Sequence, residues 1–365
     1  MKAQLGTKVL GVGAGLPAAV ITNADLEKLV ATSDEWIASR TGIKERRIAQ
    51  DETASSLATE AAKDALAFAG IDAKEIDLII VATSTPDFLY PSTACMVQAA
   101  IGANQAAAFD LEAACTGIIY AMAVAQQFIS SGTFKTVLVI GVDLHSRFLN
   151  WADRNTCILF GDGAAAFVLQ ASETENDILS TYLRADGTGA HLLKIPNPGT
   201  NYPHASKDPH KSAADNAEES AKGIGSTGEN SDKPANKCVE KFVEMNGRPI
   251  YEFAVKAVPE AVHVAIERAG IKLEDVDYLV PHQANIRIML SAAERLGIAK
   301  EKVVSNVDKV GNTSAASIPL AMWHGIRSKQ IKAPAVCALV GFGAGLTWGS
   351  AIVRWNAQDK RENNT

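Results

Sequence analysis

The sequence predicts an α/β protein made of two similar halves, and three observations carry that prediction. Apolar strand patterns alternate with helical patterns along most of the chain, which calls for sheets covered on both faces. Landmarks also recur at a constant offset of 200 residues: Ala69-Gly70-Ile71, Asp77 and Leu78-Ile79-Ile80 return as Ala269-Gly270-Ile271, Asp277 and Tyr278-Leu279-Val280. The strand ending at Gly141 likewise returns as one ending at Gly341, the mark of an internal duplication about a pseudo-two-fold. Finally, 365 residues exceed what one core fills. The expected division is a first half over 1–176, a connection over 177–236, a second half over 237–357 and a frayed tail over 358–365.

Taken in order, Lys8 to Val12 reads as a buried strand, with Gly11, Gly13 and Gly15 as a turn behind it. Pro17 stands where a phosphate-binding helix would start, so these glycines do not make a dinucleotide site. Asn23-Ala24-Asp25-Leu26 is a helix-cap signature. Ser33 to Arg40 is a helical turn that sets Trp36 and Arg40 four residues apart on one face. An indole beside a guanidinium can sandwich a flat heterocycle such as adenine; equally, the indole can pack on the core with the arginine snorkelling past it. Thr53 to Ala69 is helical, Asp77 to Thr83 is a strand buried on both faces, a helix starts near Thr93, and Ala106 to Asp110 is a short strand. Thr136 to Gly141 is a further strand, and Phe160-Gly161-Asp162-Gly163 turns into another that reaches Leu169. The segment from about 204 to 236 is polar and rich in Gly, Ser and Lys, as in a surface loop, with His204 and His210 solvated.

The chemistry centres on Cys115, which follows the short strand where small residues give way to a helical pattern. The N–H groups and dipole of a helix start favour negative charge, so the thiol is expected to ionise more readily than a free one; a small buried hydrophobe is the competing reading. The offset sets Cys115 opposite Ala315, just after Gly311-Asn312-Thr313-Ser314, so two helix starts are expected to face each other. Asn312 by itself reads as a helix cap. His282 directly follows a buried strand, where α/β folds present functional groups. Gly341-Phe342-Gly343-Ala344-Gly345 lies between two strands and can aim backbone N–H groups at an oxyanion.

Composition narrows the class. Net charge −6 with 47% hydrophobic and 21% charged residues describes an acidic protein, without the basic surface of a nucleic-acid binder. Five cysteines without metal-ligand spacing point to a reducing compartment rather than disulfides or zinc, and no metal is expected. No signal peptide or membrane span is read, so the chain is expected to be cytoplasmic, without a membrane partner.

Cys115 in Ala113-Ala114-Cys115-Thr116-Gly117, Pro281-His282-Gln283-Ala284-Asn285, Gly311-Asn312-Thr313-Ser314-Ala315-Ala316-Ser317, and Gly341 to Gly345 followed by Thr347-Trp348-Gly349-Ser350 together resemble the β-ketoacyl-acyl-carrier-protein synthase III enzymes. Asp34-Glu35-Trp36-Ile37, Arg40-Thr41-Gly42-Ile43 and Phe160 to Gly163 extend the resemblance over almost the whole chain. It implies a thiolase-like fold, an α-β-α-β-α layered sandwich. The activity implied is a decarboxylating Claisen condensation of an acyl-CoA primer with malonyl-acyl carrier protein, in a homodimer, without a cofactor beyond the CoA ester. Cys115 would carry the acyl group, with oxyanion donors from its own N–H and the Gly343-Ala344-Gly345 loop, while His282 and Asn312 would stabilise the enolate. Trp36 and Arg154 would flank adenine, Arg40 would meet the CoA phosphates, and Gln283, Ala284, Asn285, Ile286 and Arg287 would face the carrier protein. Phe342 and the partner subunit's Tyr90 would shape the acyl pocket. Ala344 stands where many members have glycine, so the backbone there must avoid positive φ. A specialised ketide- or ester-forming acyltransferase with the same triad is the rival reading, and an inactive partner subunit, which would lack the nucleophile, a weaker one.

Overall fold

The computed structural model describes residues 4–196 and 242–361. The first half contains β1 (Gly6–Gly15), β2 (Val20–Thr22), α1 (Asn23–Leu26), α2 (Asp34–Thr41), β3 (Glu45–Arg47), α3 (Ala54–Ala69), β4 (Leu78–Ala82), α4 (Thr93–Ile101), β5 (Ala107–Leu111), α5 (Gly117–Ser130), β6 (Thr136–Leu144) and β7 (Asp162–Ser172). There follow β8 (Ile178–Ala185), β9 (Leu193–Lys194), β10 (Glu244–Met245), α6 (Gly247–Ala269), β11 (Tyr278–Pro281), α7 (Ile286–Leu296), α8 (Val307–Val310), α9 (Ser317–Arg327), β12 (Ala335–Gly343) and β13 (Thr347–Trp355).

The two main sheets share one topology. The first has the order β1-β7-β6-β4-β5 and the second β8-β13-β12-β11, in each case with the two central neighbours parallel on one side and antiparallel on the other. Where β5 pairs with β4, the second sheet has a single parallel bridge from Leu279 to Val303. The repeated signals have the same physical work in both halves. Gly70 and Gly270 end α3 and α6 in the left-handed conformation at φ 66°. Asp77 accepts from the N–H of Thr136 at 3.0 Å, and Asp277 from that of Val336 at 2.8 Å, each fixing where a central strand begins.

Helices α3 and α4 cover the outer face of the first sheet, α5 and α9 lie between the sheets, and α6 with α7 cover the second, giving the layered sandwich. Each interlayer space holds its own apolar cluster; the central one is built from residues such as Ile118, Met122, Val139, Ile318 and Leu339. Among the described residues, no helix is long and apolar enough to cross a membrane.

Three expectations are corrected. Gly11, Gly13 and Gly15 form no turn: β1 runs through them, and a Cβ at Gly11 or Gly13 would collide with the backbone of Ala65, so alternate glycines let α3 lie directly on the strand. The cap of α1 is Thr22, one residue earlier than Asn23; its hydroxyl accepts from Asp25 N–H. The tail is held as far as Arg361, whose guanidinium donates to Asp64 at 2.7 Å and lies over the Phe68 ring. The segment 204–236, with His204 and His210, lies outside the described residues.

Candidate active site

The two halves meet through a pair of equivalent turns. Cys115 lies in the turn Ala114–Thr116 ahead of α5, and its counterpart Ser314–Ala316 precedes α9. Ala114 and Ser314, 200 residues apart, both have left-handed backbone, at φ 47° and 50°. That conformation costs a non-glycine residue about 1 kcal/mol or more. In each turn a side chain two residues back braces it: Glu112 accepts from Ala114 N–H at 2.9 Å, and Asn312 Oδ1 accepts from Ser314 N–H at 2.9 Å. The turns can press against the opposite sheet because the central strands carry glycine there. A Cβ at Gly141 would strike the Ala315 carbonyl, and one at Gly343 would stand 2.8 Å from the Cys115 amide nitrogen.

Asp143, fully buried at the end of β6, ties this junction together. It accepts from Ser84 N–H at 2.8 Å and Thr85 Oγ1 at 2.9 Å in the first half, and from Ala315 N–H at 3.2 Å in the second. Ser314 Oγ then reaches Cys115 Sγ at 3.3 Å, so the two helix starts do face each other.

The thiol does not behave as its place before a helix suggests. Burial pushes Cys115 up to about 12, with the Ser314 hydroxyl pulling down and the Asp143 and Glu112 carboxylates pushing further up. Burial thus moves the thiol above its ordinary range, the direction opposite to the one expected from the helix start.

His282 leaves β11 with its ring buried. Its Nδ1 lies 2.6 Å from Ser317 Oγ, which also accepts from Gln283 N–H at 3.4 Å, and its ring meets Phe342 edge-on at 5.3 Å. Among the described residues the Ser317 hydroxyl hydrogen has no acceptor besides Nδ1, and its donation there assigns the imidazole proton to Nε2. Burial, reinforced by His145, lowers His282 to about 3, so it is a neutral N–H donor. Asn312 is not the helix cap that its sequence suggested, since Thr313 and Ala316 stand at the two cap positions; its Oδ1 braces the turn by accepting from Ser314 N–H, and the amide Nδ2 is left to donate elsewhere.

Two cavities adjoin Cys115. One of about 140 Å³ is lined by Cys115, His282, Asn312, Phe342 and Gly343, so the structure does bring these residues together. The other, about 450 Å³, is lined by Cys115, Phe160, His145, Ala344 and Gly345 among others. Gly343 is required by packing, since a Cβ there would stand 2.8 Å from the Cys115 amide nitrogen. Gly345 sits at φ 133°, whereas Ala344 is not among the positive-φ residues, which is why alanine is tolerated at that position.

Away from the thiol, Arg40 and Arg154 both stack over Trp36, at 5.5 and 5.0 Å from its ring centre. Arg154 is held there by a bond to the Ala31 carbonyl at 2.9 Å. Arg287 is exposed at the start of α7, which Asn285 caps at 2.8 Å, with Ala284 and Ile286 half-buried beside it. Gln283 is corrected as a partner contact: it is fully buried and bonds to the Pro281 carbonyl at 2.6 Å and to Asn306 N–H at 3.2 Å. Phe342 lines the smaller cavity, and Tyr90 is 88% exposed, beside exposed Phe88 and Leu89.

Residues 109–187 match the family model for 3-oxoacyl-[acyl-carrier-protein] synthase III, and residues 266–355 match its C-terminal model. The chain is 45% identical to the β-ketoacyl-[acyl-carrier-protein] synthase III of Caldanaerobacter subterraneus, over 97% of this chain and 99% of the relative.

The chain belongs to the β-ketoacyl-[acyl-carrier-protein] synthase III family.

Among solved structures it is similar to the synthase III of Aquifex aeolicus, with a TM-score of 0.82 and 44% identity, covering 96% of this chain and all of that one. The priming β-ketosynthase of the R1128 polyketide pathway has a TM-score of 0.84 at 31% identity, each chain covered to 98%. Within this synthase III site, sequence reasoning missed Ser314, Ser317, Asp143 and His145. A signal existed for the last two: Asp143 interrupts an otherwise apolar strand near its end, and His145 follows that strand directly, as His282 follows its own.

Proposed function

We propose that this synthase III uses Cys115, His282 and Asn312 to condense an acyl-CoA primer, foremost acetyl-CoA, with malonyl-acyl carrier protein, the step that initiates fatty-acid synthesis. The observation that carries the reading is the cavity shared by a thiol, a neutral histidine with its N–H on Nε2, and an asparagine amide. That set fits decarboxylative thioester chemistry better than simple hydrolysis, because it offers two neutral donors to one developing oxyanion and no charged base to a water.

In the first half-reaction Cys115 Sγ attacks the primer thioester carbonyl and the S–H proton leaves on the departing CoA sulfur. Ser314 Oγ–H, 3.3 Å away, stabilises sulfur charge as it develops, so the high resting position of the thiol is overcome only in the transition state. The Cys115 N–H and the backbone of Gly343-Ala344-Gly345 receive the tetrahedral oxyanion. In the second, His282 Nε2–H and Asn312 Nδ2–H hold the malonyl thioester oxygen. Carbon dioxide leaves, the enolate forms against these donors, and its carbon attacks acyl-Cys115 to give 3-oxoacyl-acyl carrier protein and the Cys115 thiolate, which takes up one proton from water to return to the thiol. No cofactor enters the scheme.

The same reading assigns Trp36 and Arg154 to the adenine and Arg40 to the CoA phosphates, supported by the stacked geometry. Ala284, Asn285, Ile286 and, above all, exposed Arg287 face the acidic carrier protein. The apolar turn Phe88-Leu89-Tyr90 supports a homodimer in which Tyr90 enters the neighbouring acyl pocket alongside Phe342's own site. We place the enzyme in the cytoplasm, without membrane or nucleic-acid partners.

Intact-mass measurement after mixing the purified protein with labelled acetyl-CoA tests the reading. An acyl adduct is expected that disappears in Cys115→Ala. Labelling only from acyl-carrier-protein donors, with none from any CoA ester, would reassign the enzyme to elongation or to a specialised pathway.

A further inference from the structure

The larger cavity beside Cys115 contains a polar group that the condensation does not use. His145 lines it, is 6% exposed, and its buried Nδ1 has no hydrogen-bond partner among the described residues. The ring is positioned firmly: it stacks on Phe160 at 4.8 Å and 9°, while the next residue, Ser146, is fixed by Asp162 through its N–H at 3.0 Å and its hydroxyl at 2.5 Å. The other polar side chains around this cavity have partners within the protein. Ser314 bonds to Cys115, Thr347 to Thr116, Tyr120 to the Arg184 carbonyl, Glu112 to Ala114 N–H, and Lys194 pairs with Glu244. Leu193, Ile195, Val243 and Phe160 make much of the remaining wall.

A buried imidazole nitrogen without a partner is costly, and a wall built only for hydrocarbon would carry an aliphatic side chain here. Histidine's terminal torsion is broad and roughly two-fold, so the ring can turn either nitrogen into the cavity while keeping its stack on Phe160. We propose that His145 is a specificity-determining residue that selects primers whose acyl chain carries a neutral oxygen, a hydroxyl or a keto group, hydrogen-bonded to the imidazole. The inference rests on the acyl-CoA reading above and narrows it to a primer class. A charged oxygen is disfavoured, since Glu112 borders the cavity and Lys194 is already paired.

The test compares chain-matched primers within each protein, so that any general loss of activity cancels. Rates of acyl-Cys115 formation are measured by intact mass for butanoyl-CoA and for hydroxybutanoyl-CoAs bearing the hydroxyl at each chain carbon in turn, with wild type, His145→Leu and His145→Phe. In wild type at least one hydroxylated primer should exceed butanoyl-CoA by about 10-fold or more, the scale of one buried hydrogen bond. That ratio should fall to about one or below in both variants. A wild-type preference for butanoyl-CoA over every hydroxylated primer, or a ratio unchanged by both substitutions, would overturn the assignment of His145. Absence of any adduct from every CoA ester in wild type would instead overturn the acyl-CoA reading on which it rests.

Discussion

Asn312→Asp isolates the enolate donor from the structural role of the same side chain. Asn312 Oδ1 accepts from Ser314 N–H at 2.9 Å, and an aspartate oxygen can keep that bond, so the left-handed turn at Ser314 and its contact with Cys115 Sγ at 3.3 Å should survive. The Nδ2 donor, however, becomes an acceptor in a cavity it shares with His282 and Cys115. Loss of one preorganised oxyanion donor costs about 3–4 kcal/mol, or 10²–10³ in rate. Asn312 is 6% exposed, so little water replaces the lost donor, and the new carboxylate adds repulsion toward the enolate. Decarboxylation of malonyl-acyl carrier protein, followed by release of labelled carbon dioxide, should therefore fall by at least 10³. Acylation of Cys115 by acetyl-CoA, followed by intact mass, should fall far less, because Asn312 acts on the other thioester. Equal losses in both half-reactions, or unchanged decarboxylation, would refute the division of labour.

The raised position of Cys115 predicts that its alkylation by iodoacetamide climbs steadily with pH beyond the ordinary thiol range, without a plateau near 8.5; a plateau below that would show a thiolate at neutral pH. Because His282 is lowered from 6.5 to about 3, its neutral form stabilises the fold fully above pH 6.5, and roughly 5 kcal/mol is lost progressively as pH falls through that window. Urea unfolding between pH 7 and 4 should show about 3 kcal/mol of that loss in wild type and a smaller loss in His282→Asn. Trp36→Ala should raise KM for acetyl-CoA about 10-fold with kcat held, and leave the KM for acetyl-pantetheine, which has no adenine, unchanged. Gly343→Ala should cost at least 10-fold in Cys115 acylation, since its methyl would stand 2.8 Å from the Cys115 amide nitrogen.

Much of the fold was legible because its signals are local. The 200-residue offset gave two matched sheets, and Gly70 and Gly270, Asp77 and Asp277 do equivalent work at helix ends and strand starts. The misread glycines of β1 show where local reasoning stops. Gly11 and Gly13 look like a turn until α3 is seen lying on them, and their smallness answers a helix more than 40 residues away. Gln283 is similar: it belongs to a motif that looks exposed, yet its amide bridges Pro281 and Asn306 in the interior.

The sequence by itself determined which chemical groups the site has. A cysteine before one helix, an asparagine before its counterpart and a histidine after a strand are short contiguous patterns, and a strand-turn-helix brings each to a predictable sheet end. What those groups do was decided by tertiary structure alone. Protonation state follows from burial and from partners distant in the chain: Ser314 and Asp143 act on Cys115, and Ser317 acts on His282. Arg154 reaches Trp36 from 118 positions away, and Asp143 bonds to Ala315 from 172 positions away. Desolvation and such long-range contacts depend on how the two halves are pressed together, and no local stretch of sequence encodes the dielectric in which its side chains will sit.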